Sequence, residues 1–402
     1  MAEDSVQVDN ESEIDPGNLG EGIGLCLSGG GFRAMLFHVG AVQRLNELGL
    51  LHQLKRVSSV SGGSITAGVL GANWGALGFQ LQNDGRTIAT KLDEAFVAPL
   101  RELAGTTVDI WAGLDGLAHL FTSISDEVAA AYDRVLFKGK TLQSLPLDTD
   151  STEVGVKGPR FILTSTNVKT GSLWRFSRPY MADWRIGKIN HPTVPLAVAV
   201  AASSAFPPFL SPMTMSLDDV DFEPGIPSVE PPRSLRSSAV LTDGGVYDNL
   251  GLEPVWKRYK TVLVSDGGRK MDDDPSPATD WARHSRRLID LLQHEVSNLR
   301  RRQIVDSLVK KEREGAYWGI QGDIDQFKLA DALLKNSFGA TTRIAYIPTR
   351  LAKMTDLTQE LLINWGYAIC DAAVRTHVKP LPTVAPEWPY PANAITAASK
   401  PT

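Results

Sequence analysis

Apolar positions are grouped early in the chain in a way that predicts its architecture. Residues 23 to 28, IGLCLS, form a short apolar run that leads into three glycines. Beyond them Met35, Val39, Val42 and Leu45 recur at helical spacing, and Gly49 is a stop signal. LKRVSSV (54–60) then reads as a second strand, with Gly62 and Gly63 leading into another helix. Strand, glycine turn, helix, repeated, is a βαβ pattern. Parallel strands joined by a right-handed crossover end on one edge of the sheet. If these strands are neighbours, both glycine turns lie side by side at the edge where ligands bind in such sheets.

Further along, residues 75 to 145 are expected to be mostly helical. Ile110, Trp111, Leu114, Leu117, Phe121 and Ile124 form one apolar stripe there, suited to core packing or to a lid. RFILTSTNV (160–168) and SLWRFS (172–177) are separated by KTG, a hairpin signal. PLAVAVAASSAFPPFLSP (195–212) predicts a helix running into a proline-rich turn, and 212–238 a loop. Strands are expected at 239–242, 261–265 and 342–348, and helices at 285–313 and 355–377. The expected fold is α/β, a three-layer α/β/α sandwich around a mainly parallel sheet. The expected division is an acidic arm (1–21), one α/β domain (22–378) with helical insertions at about 75–145 and 283–313, and a proline-rich extended tail (379–402).

Composition narrows the function classes. With 43% hydrophobic residues among 402, the chain has material for a large core. A net charge of −5 argues against general nucleic-acid binding. Cys26 and Cys370 stand far apart without metal-ligand spacing, which suits a reducing compartment. The first 21 residues carry seven carboxylates and no Lys or Arg, unlike a secretory signal. No run approaches the roughly 20 apolar residues that span a bilayer. The expected location is the cytoplasm, with any membrane contact peripheral and transient.

The two glycine turns are the candidate chemistry. A glycine turn entering a helix exposes backbone N–H groups and the positive end of the helix dipole, a setting for an anion. Gly29-Gly30-Gly31 is thus a candidate oxyanion hole, and SSVSGGS (58–64) a candidate nucleophile turn. A nucleophile elbow wants small residues two before and two after its serine. Ser61, between Ser59 and Gly63, fits that requirement best. GGGFRA (29–34) also satisfies a dinucleotide fingerprint, but the next strand lacks the ribose-binding acid, and no Gly-Lys-Ser/Thr is present for a P-loop.

Serine needs a base. His284, His294 and His377 follow in a formally usable order, yet none stands in a glycine-rich loop after a strand. Asp243 and Asp266 each end an expected strand in Asp-Gly-Gly, where glycines allow close approach. Either carboxylate would serve as a base without histidine, and either would also serve to cap a turn.

Taken together these residues resemble the patatin-like phospholipase family. Its oxyanion motif matches Gly29-Gly30-Gly31-Phe32-Arg33-Ala34, its nucleophile turn Ser59-Val60-Ser61-Gly62-Gly63, and its Asp-Gly-Gly motif Asp243-Gly244-Gly245. AVAVAASSAFPPFLSP and DGGVYDNLGLEPV, with Asn249 and Pro254, are similar to its other segments. Ser59 stands where the family has glycine, and Ala34 where many members do. The resemblance implies a Ser61–Asp243 dyad, with Asp243 preferred over Asp266 for its Asn and Pro continuation. Gly29, Gly30 and Gly31 would form the oxyanion hole, supported by Arg33, Gly63, Gly244 and Gly245. Arg33 would steady the loop or approach a lipid phosphate. The implied activity is carboxylic ester hydrolysis on membrane glycerophospholipids or related acyl lipids, without metal or cofactor. The alternative is a catalytically idle protein of the same shape acting as a scaffold. The basic helix at 285–313 would sit on anionic headgroups or form a solvated face.

Overall fold

The computed structural model describes residues 19–108, 124–146, 158–207, 210–224, 227, 229–335, 337–382, 384–396 and 398–400. The acidic segment 1–18 and the apolar stripe from Ile110 to Phe121 lie outside them.

Strand β1 (Gly20–Leu27) passes through the three-glycine turn into helix α1 (Gly31–Glu47). Strand β2 (Leu54–Val60) passes through Ser61 into α2 (Gly62–Ala72). The two strands are parallel neighbours, with Leu27 opposite Ser59, so the glycine turns do lie side by side. A small hairpin of β3 (Phe79–Leu81) and β4 (Thr87–Ala89) follows, then α3 (Ala98–Ala104) and α4 (Ile124–Tyr132). The stretch expected to be mostly helical therefore holds a hairpin as well. Next comes a meander of β5 (Arg160–Asn167), β6 (Ser172–Phe176), β7 (Tyr180–Asp183) and β8 (Gly187–Asn190).

Helix α5 (Leu196–Ser203) leads to β9 (Met213–Ser216), a strand inside the segment expected to be only loop. A short α6 (Arg233–Arg236) and β10 (Ser238–Asp243) follow. After α7 (Gly245–Asp248) and α8 (Glu253–Trp256), β11 (Tyr259–Asp266) returns to the sheet. The chain continues through α9 (Trp281–Val309), β12 (Glu314–Gly319), α10 (Phe338–Ala345) and α11 (Asp356–His377).

The sheet order is β12-β11-β1-β2-β5-β6-β7-β8. Its first five strands are parallel, and the meander extends it antiparallel. Alternate residues serve two cores, as a sheet covered on both faces requires. Leu25, Leu27 and Leu263 join the core packed by α1, α2 and α11. Cys26, Val262 and Val264 join a smaller one with Leu250, Leu252, Val255 and Ile304. This is the expected α/β/α sandwich, a mixed sheet with mostly parallel central strands. No helix among the described residues is long and apolar enough to cross a membrane.

Residues 342–348 are not the expected strand. They begin inside α10 and run past its end, because Ala340, Thr341, Ile344 and Ala345 are buried together at helical spacing. The edge position beside β11 belongs instead to EGAYWG, the β12 sequence. Helices α1 and α11 touch backbone to backbone. A Cβ on Gly40 would fall 1.9 Å from the Ile363 carbonyl oxygen, and one on Gly366 equally close to that of Phe37. That crossing anchors α1, and with it the glycine turn at its start. The described part of the tail runs along α11, where the Asn364 amide donates to the Tyr390 and Asn393 carbonyls.

Candidate active site

One strand, β5, brings the candidate nucleophile and the candidate base together. β2 runs parallel to β5 and ends with Val60 opposite Thr164. β10 runs antiparallel on the same edge and ends with Asp243 opposite Ser165. Two strands approaching from opposite directions thus stop over consecutive β5 residues. Ser61, one residue past β2, brings its side chain close enough to the Asp243 carboxylate to favour that group's charged form.

Ser61 has φ 51° and ψ −118°, a backbone conformation that serine rarely adopts. Such strain costs on the order of 1–3 kcal/mol and persists where surrounding contacts enforce it. Here the enforcement is close packing of the two glycine turns. A Cβ on Gly62 would lie 2.1 Å from the Gly31 carbonyl oxygen, and one on Gly63 2.3 Å from that of Leu27. The Gly63 N–H donates to the Ser28 carbonyl across the gap. The requirement for small residues after the serine is a requirement for this approach.

The position occupied by Ser59 instead of glycine has its own answer. The Ser59 hydroxyl is buried and accepts from the Ser64 hydroxyl at 3.0 Å. Ser64 lies 2.8 Å from the Ser203 hydroxyl, which donates to the Thr164 carbonyl at 2.7 Å. Thr164 in turn donates its hydroxyl to the Ser59 carbonyl. A serine fits beneath the elbow because its hydroxyl accepts from Ser64 and donates to the Ile162 carbonyl at 3.4 Å.

Ser203 emerges from these contacts as a residue to which the sequence assigned no role. Its hydroxyl accepts the Ser61 N–H at 2.9 Å, and its carbonyl accepts the Gly244 N–H at 3.3 Å. Ala205, two residues on, accepts the Asp243 N–H. The end of α5 therefore braces both halves of the Ser61–Asp243 pair. The only signal in sequence was a run of small residues, AASSA. Ser203→Ala leaves the buried Ser61 N–H without its acceptor, which costs about 1–3 kcal/mol. We expect that loss in urea unfolding, together with a kcat on a soluble ester about tenfold or more lower at little-changed KM.

Asp243 is 3% exposed. Burial pushes its carboxyl up to about 6, although the Gly245 N–H and the Ser61 side chain both favour the charged form. Asp266 sits differently. Its carboxylate accepts from Arg301, the Tyr317 hydroxyl and the Gly268 N–H, and the Arg301 guanidinium leads the groups that hold its pKa below the ordinary value against burial. The two Asp-Gly-Gly motifs thus divide into one carboxylate beside Ser61 and one bound into an ion pair.

The Gly29 N–H donates to the Asn249 carbonyl. Gly30 and Gly31, with φ 142° and 60°, have no backbone acceptor for their N–H groups among the described residues. Those N–H groups stand at the open start of α1, where the helix dipole favours negative charge. A Cβ on Gly29 would meet the Asn249 side-chain oxygen at 2.3 Å, and one on Gly245 would meet it at 2.6 Å. Asn249 therefore lies between the glycine turn and the Asp-Gly-Gly motif. Gly244 passes the Thr164 carbonyl so closely that a Cβ would lie 2.4 Å from it.

Arg33 is fully buried. It donates to the carbonyls of Gly267 and Ile347 and to the Thr349 hydroxyl, tying two loops at the cavity to the start of α1. Burial lowers its pKa to about 9. His38 lies behind the turn, Nε2–H donating to the Ser28 carbonyl and Nδ1 accepting from Ser265, and burial lowers its pKa to about 4. Of the described histidines, His294 lines the cavity.

Ser61 and Asp243 open into a cavity of about 690 Å³. Phe206, Leu210, Met271 and Leu351 supply apolar wall, while Arg269, Lys270 and Arg350 supply charge. A cleft of that size whose lining combines these apolar side chains with many charged ones suits a ligand with both an apolar part and a charged head.

Among solved structures, human GIVD cytosolic phospholipase A2 is similar over 92% of this chain at 12% identity and a TM-score of 0.46. The match spans 63% of that protein. The same enzyme in complex with methyl gamma-linolenyl fluorophosphonate matches 67% of this chain and 47% of its own, at 16% identity and a TM-score of 0.36. VipD from Legionella pneumophila matches over 89% of this chain and 67% of its own, at 15% identity and a TM-score of 0.34. No curated protein matches the sequence. Residues 25–256, from within β1 to the end of α8, match the sequence profile of the patatin-like phospholipases, and the chain belongs to that family of lipid acyl hydrolases.

Proposed function

We propose that the protein cleaves acyl esters of membrane glycerophospholipids through a Ser61–Asp243 dyad. The observation that carries this reading is the placement of the Ser61 side chain beside a buried carboxylate whose pKa stands near 6. A carboxylate of that basicity is ionised at neutral pH and closer to the working pH than an ordinary aspartate, as a general base needs.

In the first half-reaction Ser61 Oγ attacks the acyl carbonyl carbon while its proton passes to Asp243. The carbonyl electron pair moves onto oxygen, and the N–H groups of Gly30 and Gly31 hold the resulting anion. Each such donor contributes roughly 3–4 kcal/mol to transition-state stability. Collapse of the intermediate breaks the ester bond, and the departing lysophospholipid oxygen takes the proton from Asp243. In the second half-reaction a water gives its proton to Asp243 and attacks the acyl-serine. Fatty acid leaves, and Ser61 recovers its proton. Arg33, Gly63, Gly244 and Gly245 support the geometry without touching the reacting atoms.

The test is a fluorophosphonate probe followed by peptide mass mapping. The expected adduct lies on the peptide carrying Ser61, and Ser61→Ala abolishes it. Labelling that persists in Ser61→Ala refutes the nucleophile. A chain that neither labels nor turns over phospholipid is the idle scaffold instead.

A further inference from the structure

Arg33 is not free to approach a lipid phosphate. Its side chain is fully buried, and its N–H groups go to the carbonyls of Gly267 and Ile347 and to the Thr349 hydroxyl. Those bonds place two other cations. Gly267 stands three residues before Lys270 in the loop after β11, and Ile347 three before Arg350 in the loop after α10. One guanidinium thus pins both loops beside the start of α1. Lys270 Nζ lies 5.8 Å from the centroid of the Tyr346 ring, so the two loops also meet directly. The Arg350 carbonyl accepts the Phe32 N–H at 3.1 Å, and a Cβ on Gly31 would fall 2.7 Å from that oxygen. Arg350 therefore touches the glycine turn that carries the Gly30 and Gly31 N–H groups. The side chains of Lys270 and Arg350 are exposed and line the active-site cavity.

Their lack of anionic partners sets these two apart. Among the described residues, seven cationic side chains line the cavity against four carboxylates, in a chain of net charge −5. Arg301 pairs with Asp266, and Arg269 with Asp272. Arg286 and Arg287 act on Asp290, offsetting part of the burial that raises its carboxyl pKa. Lys270 and Arg350 have no carboxylate partner among the described residues. A phosphate, with several acceptor oxygens, accepts from an ammonium and a guanidinium together. In a glycerophospholipid the phosphate is carried on the carbon next to one that bears an acyl ester. An anion held at Arg350 would thus belong to the same molecule as an acyl carbonyl held at Gly30 and Gly31.

We propose that Lys270 and Arg350 form a phosphate subsite beside the oxyanion hole, which selects acyl esters that carry a phosphate over neutral ones. The inference rests on the acyl hydrolase reading above for its consequence on selectivity, but not for the binding of phosphate.

Two measurements on the full chain test it. The first is the ratio of kcat/KM for dihexanoylphosphatidic acid to that for dihexanoylglycerol, two soluble esters with the same acyl chains. Lys270→Gln combined with Arg350→Gln is expected to lower that ratio about a hundredfold, because two charge-assisted contacts are lost. Lys270→Arg with Arg350→Lys keeps both charges and should hold the ratio within about tenfold of wild type. Lys310→Gln with Lys311→Gln, at exposed positions outside the cavity lining, should leave it unchanged. A wild-type ratio in the glutamine variant overturns the proposal. So does an equal fall in the Lys310 and Lys311 variant, since the chain would then attract anions generally.

The second is isothermal titration of decyl phosphate, and separately of inorganic phosphate, into the Ser61→Ala chain. Decyl phosphate is expected to bind, and to bind about a hundredfold more weakly once Lys270→Gln and Arg350→Gln are added. Inorganic phosphate should bind far more weakly than decyl phosphate, because the apolar wall adds nothing to it. Equal affinity of the two would make this a site for the free ion and overturn the headgroup assignment. Decyl phosphate affinity that is unmoved by the glutamine substitutions overturns the subsite itself. If decyl phosphate behaves as expected but the wild type cleaves neither ester, the hydrolase reading fails and the phosphate subsite stands.

Discussion

Asp243→Asn is expected to lower kcat/KM for ester hydrolysis about a thousandfold while making the protein more stable at neutral pH. The two effects share one cause. Burial raises the Asp243 pKa from 3.8 to about 6, so the folded protein holds its charged form at a disadvantage. A difference of about two units corresponds to roughly 3 kcal/mol. Because the folded pKa lies above the unfolded one, this cost is present in full above pH 6. It fades as the pH falls through 6 towards 4, where both states bind the proton. Asparagine carries no such cost. Urea unfolding at pH 8 should therefore favour the variant, and the advantage should shrink as the medium is acidified. Wild-type kcat/KM should fall about tenfold per unit below pH 6, as the base takes up its proton. Asp266→Asn makes the contrast. It takes the partner from the largely buried Arg301 and should destabilise the fold by about 3–5 kcal/mol. Full turnover in Asp243→Asn would show that the proton goes elsewhere.

Ser61→Gly is expected to abolish turnover, by at least about four orders of magnitude, and again to stabilise the chain. No hydroxyl remains to form the acyl intermediate. Glycine also accepts φ 51° without the steric cost that a Cβ brings. Ser61→Ala removes the hydroxyl but keeps the Cβ, so it loses the same activity without the release of strain. The difference in thermal unfolding between the two variants measures the strain at the elbow, expected at about 1 kcal/mol or more. Equal stability of Ser61→Gly and Ser61→Ala would mean that the turn stores none. With Asp243→Asn, this places the energetic cost of the site on its two central residues.

Much of the fold was legible because its signals are local. The early strand, glycine turn and helix, twice over, follow from apolar spacing and from glycines at φ 60° and 142°, and β1 and β2 pair as that pattern requires. Residues 342–348 misled because the β-branched and aromatic content of TRIAYIP suits a strand in isolation. Only the burial of Ala340 and Ile344 on one side makes it a helix. EGAYWG was missed as a strand since two glycines interrupt it, yet β11 offers it an edge to pair with.

The sequence by itself determined which residue types were available for chemistry. Ser61 is flanked by residues small enough for a tight elbow, three glycines precede a helix, and two aspartates end strands before paired glycines. Those are statements about covalent neighbours and steric size, which a linear chain carries in full. Choosing between Asp243 and Asp266 by contact required the tertiary structure. One meets Ser61 because β2 and β10 stop over consecutive residues of β5, and the other meets Arg301 because α9 crosses there. The same holds for Ser203. A hydroxyl becomes a brace only through what packs around it. That depends on residues far away along the chain.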